Sequence, residues 1–308
     1  MPANKYDVVI IGGGPAGLSA AIYTSRARLN TLLIERGMVG GLIINTEQVD
    51  NYPGFPEGIS GMELTEMMHR QATKYGLTTV LADVTGLEVK PEQKIVKTGE
   101  GDFIAGAVIV ACGSERNKMN VPGEDEFVGK GVSYCATCDA AFFRDKPVAV
   151  IGGGNAAVTE ALHLSRFASS VTVIHRRNRL RATQIMQEKA FADPKIEFLW
   201  DTVVEGIDGG DFVKSIKLRD VNTGQKSVLD VAGIFVSIGF MPNTEFLKSV
   251  VLLDEVGAVI TDEKLETGVP GVYAAGDVRS GATWQVITAA GDGARAAIQV
   301  ERAFTEYG

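Results

Sequence analysis

Two short runs of β-branched residues each end on a cluster of glycines. Val8-Val9-Ile10-Ile11 leads into Gly12-Gly13-Gly14-Pro15-Ala16-Gly17, and Val148-Ala149-Val150-Ile151 leads into Gly152-Gly153-Gly154-Asn155-Ala156-Ala157. The register continues without a gap through Ser25-Arg26 against Ser165-Arg166, so the chain contains an internal repeat. Apolar runs of this length suit buried strands, and the alanine-rich stretch after each cluster suits a helix. Each copy therefore predicts strand, tight turn, helix and second strand, an α/β pattern. Further strands are predicted at 107–111, 233–239 and 271–275, and a final helix from about Trp284. Polar residues 113–118 ahead of Val121-Pro122-Gly123 predict a first break in the chain, and Pro242-Asn243 a second.

The glycine clusters fit dinucleotide binding. The first glycine permits the turn, the next lets backbone approach a pyrophosphate, and the last small residue lets helix pack on strand, with the phosphates at the helix N-terminus. The residue ending each second strand separates the two ligands. Glu35 stands 23 residues after Gly12, placed to accept hydrogen bonds from a ribose with free hydroxyls, as in FAD or NAD. His175 stands 23 residues after Gly152 and is followed by Arg176, Arg177 and Arg181. Guanidinium groups bind phosphate oxygens in pairs, so the second site reads as NADPH rather than NADH.

With a net charge of −8 and an isoelectric point near 5.1, the arginine cluster is not a nucleic-acid footprint. No apolar stretch approaches the roughly 18 residues of a membrane span, and Met1–Lys5 leaves no room for a signal peptide before the first strand. The expectation is a cytoplasmic enzyme. Three cysteines do not make a disulfide scaffold. Cys135 and Cys138 form a Cys-x-x-Cys pair, able to take up two electrons and pass them on by thiol-disulfide exchange. Zinc would need two further ligands, and the only histidines are His69, His163 and His175. His69 and His163 fall in helical patterns and read as packing or surface residues, and Cys112 as a buried small one.

Several local signatures together resemble one family over nearly the whole chain. They are Gly12–Gly17, Asn51-Tyr52-Pro53-Gly54, Cys135-Ala136-Thr137-Cys138-Asp139, His175-Arg176-Arg177, Gly239-Phe240-Met241-Pro242-Asn243-Thr244 and Ala275-Gly276-Asp277. The chain is similar to the low-molecular-weight thioredoxin reductases of the flavin-dependent pyridine nucleotide-disulfide oxidoreductase family. The cysteine pair discriminates best, because in larger relatives such as glutathione reductase it lies near the first loop. The resemblance implies two Rossmann-like dinucleotide-binding domains, with the NADPH domain inserted into a discontinuous FAD domain. The expected boundaries are 1–116 for the N-terminal FAD part, 117–244 for the NADPH domain with its dithiol, and 245–308 for the C-terminal FAD part.

It further implies that FAD is held by Gly12, Gly14, Pro15, Ala16, Gly17, Glu35, Gly41, Asn51, Asp277, Gln285 and Val286. NADPH is assigned to Gly152, Gly154, Asn155, Ala156, His175, Arg176, Arg177 and Arg181. Electrons pass from NADPH through FAD to the Cys135–Cys138 disulfide and on to thioredoxin, with Cys138 the sulfur that meets the flavin and Cys135 the one that attacks the partner. Asp139 is the implied acid-base residue; read locally, it is also an N-cap for a helix beginning near Ala140. A homodimer is implied, with no nucleic-acid or membrane partner.

Three positions depart from the family pattern: Leu42 stands where Gln is usual, Trp284-Gln285-Val286 where Arg-Gln-Ala is, and Cys112 where Thr is. None belongs to the dithiol or the arginine cluster. The alternatives are a small-molecule dithiol oxidase of the same fold, the flavoprotein subunit of alkyl hydroperoxide reductase, and a non-enzymatic redox-sensing flavoprotein. The first has less need of a 2′-phosphate site, the second carries an extra N-terminal dithiol domain, and the third does not need Asp139 beside an active pair.

Overall fold

The computed structural model describes residues 4–46, 48–91 and 93–306. The chain forms two compact units, one of Met1–Glu115 with Met241–Gly308 and one of Arg116–Phe240. In the first, β1 (Lys5–Ile11), α1 (Pro15–Arg26) and β2 (Thr31–Glu35) make the first repeat. Helix α2 (Gly61–Thr73) and β3 (Thr78–Leu81) come next, then β4 (Val84–Val89), β5 (Lys94–Thr98) and β6 (Gly101–Val110). Strand β7 (Ser114–Arg116) carries the chain into the second unit.

There β8 (Val132–Ser133) and α3 (Ala136–Asp139) precede the second repeat of β9 (Pro147–Ile151), α4 (Asn155–Leu164) and β10 (Ser170–Ile174). Helix α5 (Gln184–Ala192) leads to β11 (Ile196–Leu199), then come β12 (Thr202–Gly209), β13 (Val213–Asp220), β14 (Lys226–Asp230) and β15 (Gly233–Val236). Strand β16 (Phe240–Pro242) pairs with β7 where the chain returns. Strand β17 (Val272–Ala274) and α6 (Val286–Glu306) complete the first unit.

The first sheet runs β3-β2-β1-β6-β5-β4, with β17 beside the end of β6. Side chains alternate across it with the strand period of two. Val8 and Ile10 pack with Ala20, Ala21, Ala296 and Ala297 of α1 and α6, whereas Val9 and Ile11 pack with Leu87, Val96 and Leu247 on the opposite face. Both faces are covered, which explains an unbroken apolar run where a half-exposed strand would alternate. The second unit repeats this plan in its parallel sheet β11-β10-β9-β15-β8. Val148, Val150 and Phe235 meet alanines of α3 and α4, while Ala149, Ile151 and Ile234 meet the antiparallel sheet β12-β13-β14 through Ile207 and Ile216.

Parallel strands end together, so each glycine loop lies at the carboxyl edge of its sheet, where open α/β sheets bind ligands. The last helix begins at Val286, two residues after Trp284, whose φ of +61° lies outside the helical range. Among the described residues, no helix is long and apolar enough to cross a membrane.

Candidate active site

In the first unit, Gly12 has φ +106°, and a Cβ there would lie 2.3 Å from the Ala111 carbonyl oxygen. Only glycine fits that turn. Pro15 opens α1, and Gly14 at its N-cap position brings no capping side chain, so the first-turn amides beyond Pro15 lack a side-chain cap. A Cβ on Gly17 would stand 1.9 Å from the Gly12 carbonyl oxygen, so the helix packs directly on the turn. The Glu35 carboxylate accepts from the Gly13 N–H at 2.7 Å and the Gly37 N–H at 3.0 Å. Gly41 has φ +71° and lies against Gly14, closing one side of the loop. A cavity of about 490 Å³ within this unit is lined by Gly12, Glu35, Arg36, Asp83, Cys112 and Asn243.

The C-terminal part supplies the other residues expected here. The Asn51 amide donates to the Gln285 side-chain oxygen at 3.0 Å, and Val286 opens α6 against the cluster containing Leu18 and Val49. Asp277 sits half-buried in the turn Gly276–Val278, and a Cβ on Gly276 would meet that of Ala16 at 2.8 Å, so this turn reaches the first turn of α1. Leu42 is exposed, and the Cys112 thiol donates to the Asn243 carbonyl at 3.1 Å. Although Cys112 as a residue is half-buried, its sulfur is enclosed, and burial pushes the thiol up to about 12. It stays protonated and is no nucleophile.

The second loop has the same backbone plan and a different rim. A Cβ on Gly152 would lie 2.2 Å from the Ser237 carbonyl oxygen, and Gly154 precedes α4 without a capping side chain. The Asn155 side chain is engaged, accepting from the Thr183 N–H at 2.8 Å, and Ala156 is exposed beside it. His175 is 6% exposed, with its ring packed against Gly153. Burial pulls its proton affinity below the ordinary range, and Arg181, Arg177 and Arg176 add to this, so the ring is neutral at pH 7. His175 therefore lies beneath the loop while the arginines stand outside it. The Arg181 N–H donates to the Gly153 carbonyl at 2.6 Å, which fastens the arginine segment to the loop. Arg176, Arg177 and Arg181 are exposed, and among the described residues none forms an ion pair with a carboxylate.

Cys135 and Cys138 are joined in a disulfide, with Cα atoms 5.4 Å apart. Cys135 is the N-cap of α3, and its sulfur accepts from the Cys138 N–H at 3.3 Å. Cys138 is exposed and Cys135 half-buried. One helical turn thus starts at Ala136 and a 3-10 turn follows at Ala140–Phe143, with Asp139 in its N-cap position but its carboxylate making no capping bond. Its Oδ2 instead accepts from the Ser133 hydroxyl at 2.5 Å, and the Ser133 oxygen accepts the Cys135 N–H at 3.1 Å. Burial raises the proton affinity of Asp139, with Ser133 and the Arg116 cation opposing it.

Ser133 carries no sequence signal of its own, and neither does Glu160 on α4. Burial pushes Glu160 up to about 7, against the opposing effects of Ser237 and Arg116. Its Oε2 is enclosed without a hydrogen-bond partner among the described residues. The other two histidines are structural: His69 bonds Thr79 at 3.0 Å, and His163 packs on Phe167.

Residues 6–293 match the family model for pyridine nucleotide-disulphide oxidoreductases. The chain belongs to that family. Within it, the chain groups with the bacterial-type thioredoxin reductases. A protein named thioredoxin reductase from Bacillus subtilis is 46% identical over 297 residues, covering 96% of this chain and 94% of its own length. One of the same name from Listeria innocua, also 46% identical, covers 94% of this chain and 90% of its own. The crystal structure of thioredoxin reductase from Streptococcus pyogenes superimposes with a TM-score of 0.94 at 41% identity, covering 98% of this chain and 99% of that one. The family architecture is that of two dinucleotide-binding domains, one for FAD and an inserted one for NADPH.

Proposed function

We propose that this chain is an NADPH-dependent thioredoxin-disulfide reductase, carrying electrons from NADPH through FAD and the Cys135–Cys138 pair to a disulfide of thioredoxin. The observation that carries the reading is the disulfide on α3, in the same unit as a glycine loop rimmed by arginines without carboxylate partners. Relatives named thioredoxin reductase, aligned over almost the whole chain, support the acceptor.

The first loop fits FAD. The uncapped start of α1 suits a pyrophosphate at Gly12, Gly14, Pro15, Ala16 and Gly17, with Gly41 alongside. Glu35 keeps lone pairs for ribose hydroxyls after taking two backbone N–H groups. Asp277, Asn51, Gln285 and Val286 complete the set. When bound, FAD supplies a two-electron carrier between a hydride donor and a disulfide.

In the second unit, Gly152, Gly154, Asn155 and Ala156 form the pyrophosphate cradle, His175 supports it from below, and Arg176, Arg177 and Arg181 hold the 2′-phosphate. In the reduced pair, the Cys135 thiolate, stabilised by the Cys138 N–H, attacks one sulfur of the partner's disulfide and releases the other as a thiolate. Cys138 then attacks Cys135, which re-forms the intramolecular disulfide and releases the partner's second thiolate. Asp139, desolvated and fixed by Ser133, carries protons between these thiolates and solvent. The enzyme is read as a cytoplasmic homodimer, which cell fractionation and sedimentation measure directly.

The test is a visible spectrum during anaerobic NADPH titration, with oxidised thioredoxin added afterwards. The flavin bands should bleach and then recover. Bleaching without recovery contradicts the acceptor, and equal bleaching by NADH at equal concentration contradicts the donor.

A further inference from the structure

The turn that carries Asp277 is fastened to α6 by an ion pair. Asp292 lies on α6, and its Oδ2 accepts from Arg279 Nη2 at 2.7 Å, from Arg279 Nε at 2.9 Å and from the Gly276 N–H at 3.2 Å. Arg279 closes the ring through its own backbone, donating its N–H to the Gly276 carbonyl at 3.0 Å, and its Nη1 reaches the Thr261 hydroxyl at 3.3 Å. Both side chains are largely buried, 16% and 12% exposed. Gly293, next to Asp292, is where α6 touches α1: a Cβ there would stand 1.9 Å from the Ala16 carbonyl oxygen. One carboxylate oxygen thus ties the turn to the last helix, and the neighbouring Gly293 packs that helix on the start of the first.

We infer that Arg279 and Asp292 are a positioning pair for the flavin site, fixing the Gly276–Val278 turn so that Asp277 is presented to FAD; this rests on the FAD reading of the first unit. Val278 anchors one end of this turn in the core at 0% exposure, whereas Asp277 is half-buried and Gly276, at φ +77°, holds a backbone conformation that contacts with α6 help to fix. The pair supplies those contacts through charge-assisted bonds, which hold their geometry better than neutral ones. A buried ion pair is weak evidence for stability as such, which leaves conformational specificity as its role.

The experiment measures the rate of FAD loss from the holoenzyme by the rise in free-flavin fluorescence. The variants are Asp292→Asn and the double change Arg279→Gln with Asp292→Asn, which leaves no unpaired buried charge. Each is made with Asp277 intact and with Asp277→Ala. With Asp277 present, FAD loss should accelerate about 10-fold, the scale of one charge-assisted hydrogen bond; in the Asp277→Ala background, less than about 2-fold, as expected for groups acting through one another. Equal acceleration in both backgrounds, with a matching fall in apoprotein Tm, would make the pair an ordinary packing contact and overturn the proposal. So would no acceleration in either. Wild-type protein purified without flavin would overturn the FAD reading instead, and Asp277→Ala losing FAD no faster than wild type would overturn the role of Asp277; either result removes the pair's role with it.

Discussion

The two glycine loops are copies in sequence and differ in what stands behind them. In the first, a carboxylate, Glu35, takes the Gly13 amide. In the second, the corresponding place holds a neutral imidazole, His175, which only packs against Gly153. The small residue ending each loop differs too: Gly17 lets α1 touch the Gly12 carbonyl, while Ala157 keeps a methyl between α4 and the turn. On the proposed reading, the backbone plan makes a dinucleotide cradle in each case and the rim selects the dinucleotide. A carboxylate repels a 2′-phosphate, and unpaired guanidinium groups attract one. The second unit also carries the dithiol, so on this reading donor site and outgoing disulfide share one body while the first unit is left with the flavin.

The largest effect that sharpens this division comes from the cysteines. Cys135→Ser and Cys138→Ser should each abolish thioredoxin reduction while leaving flavin content unchanged. Cys135→Ser alone should show long-wavelength absorbance from a Cys138 thiolate against oxidised flavin, and identical spectra from the two variants would contradict their assigned roles. Asp139→Asn should come next, lowering thioredoxin turnover by roughly two to four decades with little change in stability, because general acid–base assistance is of that size. A stability loss with normal turnover would return Asp139 to a structural role.

Glu160 gives a pH signature in the second unit alone. Its carboxyl is raised from 4.5 to about 7 on folding, so it stabilises the fold fully below about pH 4.5 and loses that contribution as pH rises through 7. The loss approaches about 3 kcal/mol. The urea midpoint should therefore fall between pH 5 and pH 8 by more in wild type than in Glu160→Gln. Parallel profiles would show that Glu160 is solvated. The smallest effect separates the rims: Arg177→Ala should weaken NADPH by about one to two decades, the loss of one charge-assisted contact, and leave NADH nearly unchanged. Equal losses for both nucleotides would break the comparison at its centre.

The repeat was legible because its signals are local. A β-branched run feeding a glycine cluster needs no distant partner to be read, and the same holds for the arginines after β10. What lay outside the sequence pattern depends on distant contacts. Strand β14, Lys-Ser-Val-Leu-Asp, and strand β5, Lys-Ile-Val-Lys-Thr, are too short and too charged to announce themselves, and they exist because each pairs with a neighbour in an antiparallel layer. Ser133 meets Asp139 only because the chain bends at Tyr134 before entering α3, and a lone serine two residues before a cysteine is unremarked in any pattern. Glu160 reads as an ordinary exposed helix charge until folding encloses it. The local cap reading of Asp139 holds for its position, before the 3-10 turn at Ala140, and fails for its side chain, which bonds Ser133 instead.

The most direct test of the central claim is a single-turnover reaction. Enzyme reduced with a stoichiometric amount of NADPH, freed of excess nucleotide and mixed rapidly with oxidised thioredoxin, should form one dithiol in thioredoxin per disulfide of enzyme, while Cys138→Ser treated identically should complete none. Equal thioredoxin reduction by the variant would show that electrons reach the partner without the Cys135–Cys138 pair, and would contradict the account.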